Sequence, residues 1–244
     1  MNQNHTIERL RNLRLNAMAQ LHQNHLESRS ILEFTTDEYL EMLIDRQWEE
    51  NCNRKILALT KQAKFRQKAS LVDVNFSPDR NLDKNMFVRL TNLDFMSRKE
   101  NIIITGASGS GKSFLAQVIG NHACQMQLRT QFHVCAKLLN ELKLNKLDGS
   151  YLKVLNRIRK IDLFIIDDFG LQAFDTMTRE ILLDIIDERH TTGSTIITSQ
   201  VPVSAWHQLI GEGTIADAIL DRIVNSSHRI NLEGESQRKI LMNI

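Results

Sequence analysis

The stretch that most constrains this chain is GASGSGKS, residues 106–113, which fits the pattern GxxxxGK(S/T) at every fixed position. An apolar run, NIIIT at 101–105, precedes it, and a run with helical character begins near Lys112. A strand, a glycine-rich loop and a helix in this order are typical of a phosphate-binding loop. The sequence therefore predicts an α/β fold with a nucleoside triphosphate site.

Each part of this loop has a predicted role. Its glycines allow the backbone to approach a phosphate closely, and the following helix adds the positive end of its dipole. We expect Lys112 to contact the β- and γ-phosphates and the Ser113 hydroxyl to ligate Mg²⁺. The predicted nucleotide-binding residues are Gly106, Ala107, Ser108, Gly109, Ser110, Gly111, Lys112 and Ser113.

ATP is the expected nucleotide. A guanine-reading pattern, NKxD, does occur at 145–148. In GTPases that pattern follows a strand downstream of the magnesium-binding acid, whereas here it trails a helix and precedes the acidic strand. Adenine is therefore the better prediction for the base.

A second apolar run, LFIIDDFG at 163–170, ends in two adjacent carboxylates. In a phosphate-loop fold, an apolar strand beside the strand of the loop ends in an acid that holds the Mg²⁺ shell through water. Asp167 is predicted to be that acid. Asp168, one residue on, is predicted to orient or deprotonate the attacking water.

The next apolar run, STIITSQ, places polar side chains at a further strand end. Ser199 or Gln200 is a candidate for sensing the γ-phosphate. Polar residues are also common where a strand passes into a loop, so both interpretations stay open.

The chain divides by composition into two predicted domains, 1–75 and 76–244. The first 70 residues contain no glycine and no proline, which favours a small all-helical domain. A helical stripe of Leu40, Leu43, Ile44 and Trp48 indicates either core or a partner surface. After the polar linker DVNFSPDRNLDK at 73–84, short apolar runs alternate with helical segments, which predicts a parallel sheet flanked by helices.

A basic segment, NRKILALTKQAKFRQK at 53–68, has six basic residues and no acid. On a continuous helix, Arg54, Lys61 and Lys68 fall seven residues apart on one face, with Lys64 beside them. Such a stripe can neutralise phosphates of a nucleic-acid backbone, although a charged run is also typical of a solvated helix face. These four residues are the predicted DNA contacts.

The composition and the sequence pattern exclude several classes of protein. The longest apolar run is too short for a membrane span, and the first residues lack the apolar core of a secretory signal. Three cysteines without CxxC spacing support neither a disulfide framework nor a zinc site. We expect a cytoplasmic protein without a membrane partner.

Several motifs in one order resemble the IstB family, the AAA+ ATPase helper proteins of bacterial insertion sequences, which are related to the DnaC helicase loaders and DnaA initiators. The motifs are LRLNAMAQL, LIDRQWEENCNRK, ITGASGSGKSFLA, IDLFIIDDFGL, TIITSQVPVSAWHQLIG and ADAILDRIVNSSHRINLEGES. The resemblance covers nearly the whole chain. It implies a Mg²⁺-dependent ATPase that assembles into oligomers on double-stranded DNA and recruits or stimulates a partner transposase.

The resemblance also implies a residue role that operates between subunits. In AAA+ proteins an arginine from a neighbouring subunit completes the nucleotide site, and Arg222 in LDRI matches that position, with Arg229 as the alternative. An intramolecular ion pair of Arg222 with Asp217 or Asp221, or a solvated helix end, is the competing interpretation.

Two features depart from the family pattern. Most AAA+ proteins carry Glu where this chain has Asp168, which predicts slow hydrolysis. Few residues follow the last predicted strand, HRINLE at 228–233, so a C-terminal lid is expected to be minimal or absent.

Two other functions fit parts of the sequence. A DnaC-type helicase loader shares the AAA+ core and would prefer single-stranded DNA. A small-molecule kinase would need an arginine-rich lid and an acceptor site, and neither is recognisable. The N-terminal motifs favour transposition.

Overall fold

The structure is a computed structural model and describes residues 3–211, 213–234 and 236–237. Glu235, part of the motif that supports the family resemblance, and residues 238–244, on which the expectation about a lid falls, lie outside the described residues. Contacts divide the chain into two units, Met1–Ala58 and Leu59–Ile244.

The first unit is helical, as predicted. Its elements are α1 (Gln3–Asn12), α2 (Asn16–Ser28), a 3₁₀ turn (Ser30–Glu33) and most of α3 (Thr36–Ala63). The start of α3 is a capping box, because Thr35 Oγ1 accepts from the Glu38 N–H at 3.4 Å and Glu38 Oε2 accepts from the Thr35 N–H at 2.8 Å.

The apolar stripe of α3 divides between core and surface. Leu43 is buried, whereas Leu40, Ile44 and Trp48 are 51%, 50% and 68% exposed. Most of the stripe is therefore a solvent-facing apolar surface in this chain, which favours the second of the two interpretations, a surface for a partner.

The second unit alternates strands and helices. Its strands are β1 (Asn101–Gly106), β2 (Thr130–Val134), β3 (Leu163–Phe169), β4 (Ser194–Ser199) and β5 (Ser227–Leu232). Its helices are α4 (Lys84–Thr91), α5 (Asp94–Ser97), α6 (Lys112–Gln125), α7 (Cys135–Asp148), α8 (Tyr151–Arg159), α9 (Thr176–Arg189), α10 (Trp206–Ile210) and α11 (Gly213–Val224), with 3₁₀ turns at Leu71–Asp73, Pro78–Arg80 and Val203–Ala205. None of the described helices combines the length and apolar character that a membrane crossing requires.

All five strands are parallel and lie in the order β2-β3-β4-β1-β5, which confirms the predicted sheet. One prediction is wrong: the acidic strand β3 does not lie beside the loop strand β1, because β4 lies between them. All six residues of β4 are buried, as expected of a strand at the centre of a parallel sheet with both faces covered.

Alternate residues of the strands supply two cores. Ile102, Ile104 and Ile165 pack on the face that carries α6. Ile103 and Ile166 pack on the opposite face with α7, α9 and α11. The loop after β1 and the acids of β3 therefore emerge at the carboxyl edge of the sheet, where ligands bind in α/β folds.

The boundary between the units differs from the predicted one at 75/76. It falls inside α3, because the residues that follow pack into the second unit. Leu59 and Ala63 pack with Cys124 of α6, and Ala69 and Val74 join the core on the α6 face. The polar linker is thus part of the second unit.

Candidate functional site

The glycines of the loop adopt backbone conformations that other residues avoid. Gly106 has φ +146°, and a Cβ there would lie 2.4 Å from the carbonyl oxygen of Leu232. Gly109 has φ +80°, and a Cβ there would lie 2.1 Å from the Ser236 hydroxyl. Both positions therefore require glycine, as expected of a loop that closes tightly around an anion.

Lys112 begins α6 and its side chain is buried. Its Nζ donates a hydrogen bond to the carbonyl oxygen of Ala107 at 2.7 Å. The ammonium group therefore lies within the loop at the positive end of the helix dipole, where the charge and the backbone N–H groups all favour a phosphate. Ser113 follows in the first turn of the same helix.

A buried arginine, Arg80, stabilises the glycine loop, and the sequence analysis did not predict this role. Arg80 is 2% exposed and its Nη2 donates to the Ser110 carbonyl at 2.8 Å, while its Nη1 donates to the Asn75 carbonyl. Burial lowers its pKa. Arg80 lies in the segment predicted as a linker, where a lone arginine gives no signal of burial.

The chain after β5 also contacts the loop. The N–H of Gln237 donates to the Gly109 carbonyl at 2.9 Å, and the Asn75 amide donates to Gln237 Oε1 at 3.3 Å. Residues 75–80 and 236–237 therefore hold the loop in place. The family resemblance included Ser236 but predicted no role for it.

Asp167 is fully buried at the end of β3. Its Oδ1 accepts a hydrogen bond from Thr198 Oγ1 of β4 at 2.6 Å, and its Oδ2 lies 3.6 Å from Nη1 of Arg66. Thr198 Oγ1 also accepts from the Asp168 N–H at 3.1 Å. Thr198 therefore orients the predicted magnesium-binding acid, a role that chain order alone did not reveal.

Replacing Thr198 with valine is expected to destabilise the protein. Valine has a similar shape but leaves a buried carboxylate without its short hydrogen bond, and a bond to a charged group contributes about 1.5–3 kcal/mol. Chemical denaturation should show a loss of unfolding free energy in that range. Thr198→Ser keeps the hydroxyl and is the matched control; an unchanged midpoint for Thr198→Val would contradict this role.

Asp168 occupies a break in the pairing of β3 with β4. Its φ is +59°, in the left-handed region, and the register of the two strands shifts between Ile166 and Phe169. Asp168 lines a cavity of about 150 Å³ beside α7. Burial raises the pKa of Cys135 to about 12, and the negative charge of Asp168 adds to this effect. Its carboxylate thus lies towards α7, and its role in activating water stays a prediction.

The two sensor candidates differ in their surroundings. Ser199 is buried and its Oγ donates to the Phe169 carbonyl at 2.7 Å and accepts from the Val201 N–H at 3.0 Å. These bonds give Ser199 a structural role in the turn after β4. Gln200 is exposed at the carboxyl edge of the sheet, so of the two it is the candidate free to reach a phosphate.

Arg222 makes an intramolecular ion pair, but not with either of the acids expected. Its Nε lies 2.6 Å from Asp187 Oδ1 of α9, and its Nη1 donates to the Ala218 carbonyl at 2.9 Å. The alternative residue, Arg229, is exposed on β5, which pairs with β1. The role of either arginine in a neighbouring subunit stays a prediction.

The basic segment does not form the predicted stripe. Helix α3 ends at Ala63, and Lys64 has φ +57°, so Lys68 does not lie on the helix. Arg54 belongs to the first unit. In the second unit Lys61, Lys64 and Lys68 instead line a groove of about 530 Å³ with Arg66, Asn121 and Asp73. Burial lowers the pKa of His133 on β2 to about 4, and the positive charge of Lys64 adds to this effect.

The residues at the carboxyl edge suit a magnesium nucleotide. The glycine loop and Lys112 form a cationic cradle. Asp167 presents a buried oxygen, Oδ2, that has no hydrogen-bond partner within the described part of the chain. Carboxylate and hydroxyl oxygens are the ligands that Mg²⁺ prefers, so Asp167 and Ser113 are the residues that would hold the cation.

Comparison with protein families gives one match over nearly the whole chain. The model of the family described as IstB-like ATP binding protein matches residues 8–242. A putative insertion sequence ATP-binding protein of Sinorhizobium fredii is 37% identical over 96% of this chain and 96% of its own length. The putative ATP-binding protein of insertion sequence IS21 from Pseudomonas aeruginosa is 27% identical over 87% of this chain and 80% of its own length.

Solved structures share the fold. The DnaC helicase loader superposes with a TM-score of 0.52 at 18% identity, covering 71% of this chain and 98% of that one. AMPPCP-bound DnaA from Aquifex aeolicus superposes with a TM-score of 0.60 at 16% identity, covering 74% of this chain and 55% of that one. At these identities the likeness concerns the fold alone.

Proposed function

Because the chain belongs to the IstB-like ATP binding protein family, we propose that it is the ATP-hydrolysing helper of an insertion sequence. In this role it assembles on double-stranded DNA and recruits or stimulates a partner transposase. The membership confirms the family resemblance drawn from the sequence motifs, and the sheet confirms the AAA+ fold.

The main support for the proposal is that two elements lie together at the carboxyl edge of the sheet. One is the loop of 106–113 with buried Lys112, and the other is buried Asp167 on β3, fixed by Thr198. These are the parts that phosphoryl transfer to water requires: a cationic cradle for the phosphates and an acid for the metal.

The chain's own residues would act by binding and positioning. The loop N–H groups and Lys112 hold the phosphates and stabilise the charge that develops as the γ-phosphate leaves. Mg²⁺ supplies further charge neutralisation when it is bound by Ser113 and Asp167. Asp168 orients the attacking water, Gln200 senses the γ-phosphate, and Arg222 of one subunit completes the site of the next.

Family coverage favours this function over that of a helicase loader. The insertion-sequence relatives match the N-terminal unit as well as the ATPase core. The DnaC structure covers 71% of the chain at 18% identity, which is a likeness of fold alone. Function depends on the surfaces attached to a fold, and the relatives that match both units are insertion sequence ATP-binding proteins.

Sedimentation with DNA tests the proposal directly. The purified protein is sedimented with long duplex or single-stranded DNA, with ATP, with ADP and without nucleotide, at one fixed salt concentration. We expect large complexes on duplex that require ATP. Preference for single strands would support the helicase loader instead, and absence of DNA association in every nucleotide state would refute both.

We propose the groove of Lys61, Lys64 and Lys68 as the duplex contact. Replacing Lys61 and Lys64 with glutamate should weaken DNA binding and flatten its salt dependence by about 0.9 in log–log slope for each phosphate that is no longer neutralised. Fluorescence anisotropy at several salt concentrations measures both. The control is Lys153→Glu with Lys160→Glu, two exposed residues at α8, which changes the net charge by the same amount. If both pairs of substitutions weaken DNA binding equally, the effect comes from net charge and not from the groove.

A further inference from the structure

Arg66 forms an ion pair with Asp167. Its Nη1 lies 3.6 Å from Asp167 Oδ2. That oxygen is buried and lacks a hydrogen-bond partner within the residues that the structure describes. The Arg66 side chain itself is 49% exposed, so the ion pair joins a solvated guanidinium to a fully buried carboxylate.

The backbone of Arg66 is fixed to the helix that carries Ser113. Gln117 of α6 is 1% exposed, and its Oε1 accepts from the N–H groups of Arg66 at 2.7 Å and of Gln67 at 3.3 Å. Its Nε2 donates to the carbonyl oxygen of Ser113 at 2.9 Å. Gln117 thus connects residue 66 directly to the first turn of α6.

The Arg66 side chain is less tightly held than its backbone. The guanidinium carbon lies 5.7 Å from the centre of the Phe132 ring, and the 3.6 Å ion pair is longer than a charge-assisted hydrogen bond. A buried carboxylate needs a counter-charge, but a half-exposed arginine can return to water at little cost. Another cation can therefore replace the Arg66 guanidinium beside the Asp167 carboxylate.

We propose that Arg66 is the counter-ion of Asp167 in the nucleotide-free protein, and that it competes with the divalent cation of the nucleotide for this carboxylate. The inference rests on the proposed function, in which Asp167 holds Mg²⁺. Arg66 is then a positioning residue that balances the charge of the acid and keeps it correctly placed until the metal nucleotide arrives.

The same residue connects the nucleotide site to the basic groove. Arg66 lines that groove with Lys61, Lys64 and Lys68. A guanidinium released from Asp167 is no longer neutralised and adds positive charge to the groove. Metal nucleotide should therefore strengthen duplex binding, and duplex should strengthen metal-nucleotide binding by the same factor, since coupling between two sites is reciprocal.

The first test measures nucleotide binding rather than hydrolysis. A fluorescent ATP analogue is titrated against the full chain at a series of Mg²⁺ concentrations, for the wild type and for Arg66→Ala. Removal of the competing cation should lower the Mg²⁺ concentration at half-saturation by up to about fivefold, the effect expected of one exposed ion pair. An unchanged or higher Mg²⁺ requirement overturns the proposal.

Two variants serve as controls. Arg66→Lys keeps the charge and should retain most of the wild-type Mg²⁺ requirement. Arg129→Ala removes a similarly exposed arginine from its ion pair with Asp162, and it should leave the Mg²⁺ requirement unchanged. If wild-type protein binds no nucleotide at any Mg²⁺ concentration, the proposed function fails; if it binds normally and Arg66→Ala matches it, this inference alone fails.

The second test measures the coupling. Duplex affinity is determined by anisotropy with and without a non-hydrolysable ATP analogue and Mg²⁺. We expect Arg66→Ala to reduce the ratio of the two affinities towards one, while Lys61→Glu with Lys64→Glu lowers both affinities and leaves a ratio above one. An Arg66→Ala ratio equal to that of the wild type would overturn the link between the two sites.

Discussion

Lys112→Ala is expected to remove nucleotide binding and, with it, all nucleotide-dependent assembly on DNA. In the structure the Lys112 ammonium lies inside the loop and donates to Ala107 at 2.7 Å. We expect it to exchange that carbonyl for phosphate oxygens when nucleotide binds. Two hydrogen bonds to charged oxygens contribute about 3–6 kcal/mol in total, equivalent to a roughly 10²- to 10⁴-fold loss of affinity.

Equilibrium binding of a fluorescent ATP analogue measures this loss, and thermal unfolding without nucleotide confirms that the variant is folded. Asp168→Asn is the matched variant. It should bind nucleotide normally, fail to hydrolyse it and accumulate in the assembled state on duplex. Equal nucleotide affinity in the wild type and Lys112→Ala would refute the assignment of the cradle.

The glycine loop was predictable because its constraints are local. Gly106 and Gly109 need conformations that only glycine adopts readily, and the pattern of a strand, loop and helix is continuous in the sequence. Strands β1, β3 and β4 could be located for a similar reason, since each contains a short apolar run between polar segments. Helix α8 was missed because its nine residues are shorter than the window over which a helical period becomes distinct, although Tyr151, Val154, Leu155 and Ile158 recur at helical spacing.

The contacts between distant strands were not predictable from chain order. Nothing local indicates that β4 lies between β1 and β3, and only that placement brings Thr198 against Asp167. The sequence analysis consequently named Ser199 and Gln200 as sensor candidates and assigned no role to Thr198, which contacts the acid. Arg80 was missed for the same reason, because its contact with Ser110 joins residues 30 positions apart.

The end of α3 shows how one residue alters a predicted surface. Periodicity placed Lys61 and Lys68 on a common helix face, but the helix ends at Ala63 and Lys64 adopts a left-handed conformation. Lysine rarely adopts this conformation, so the sequence gives no sign of the break. The turn brings the next residues to α6 and allows Arg66 to reach Asp167.

Arg222→Ala is expected to abolish hydrolysis while preserving nucleotide binding. An arginine supplied by a neighbouring subunit contributes about 10³ to 10⁵ in rate in phosphoryl-transfer enzymes. Steady-state ATPase assays on duplex, together with nucleotide binding, separate the two effects. Arg229→Ala tests the alternative arginine under the same conditions.

Asp187→Ala distinguishes this role from a structural one. The variant removes the same ion pair with Arg222 but keeps the arginine. If Arg222 only stabilises its own subunit, the two variants should lose activity together. If Arg222 acts on a neighbour, Asp187→Ala should remain active, because the arginine is then freed from its partner in α9.

Mixing two inactive variants gives the sharpest test. Asp168→Asn subunits keep Arg222 but cannot hydrolyse, whereas Arg222→Ala subunits keep Asp168 but lack the arginine. In a head-to-tail assembly of equal amounts, about a quarter of the interfaces join an intact site to an intact arginine. Hydrolysis should therefore reappear in the mixture; a mixture as inactive as its components would show that Arg222 does not act between subunits.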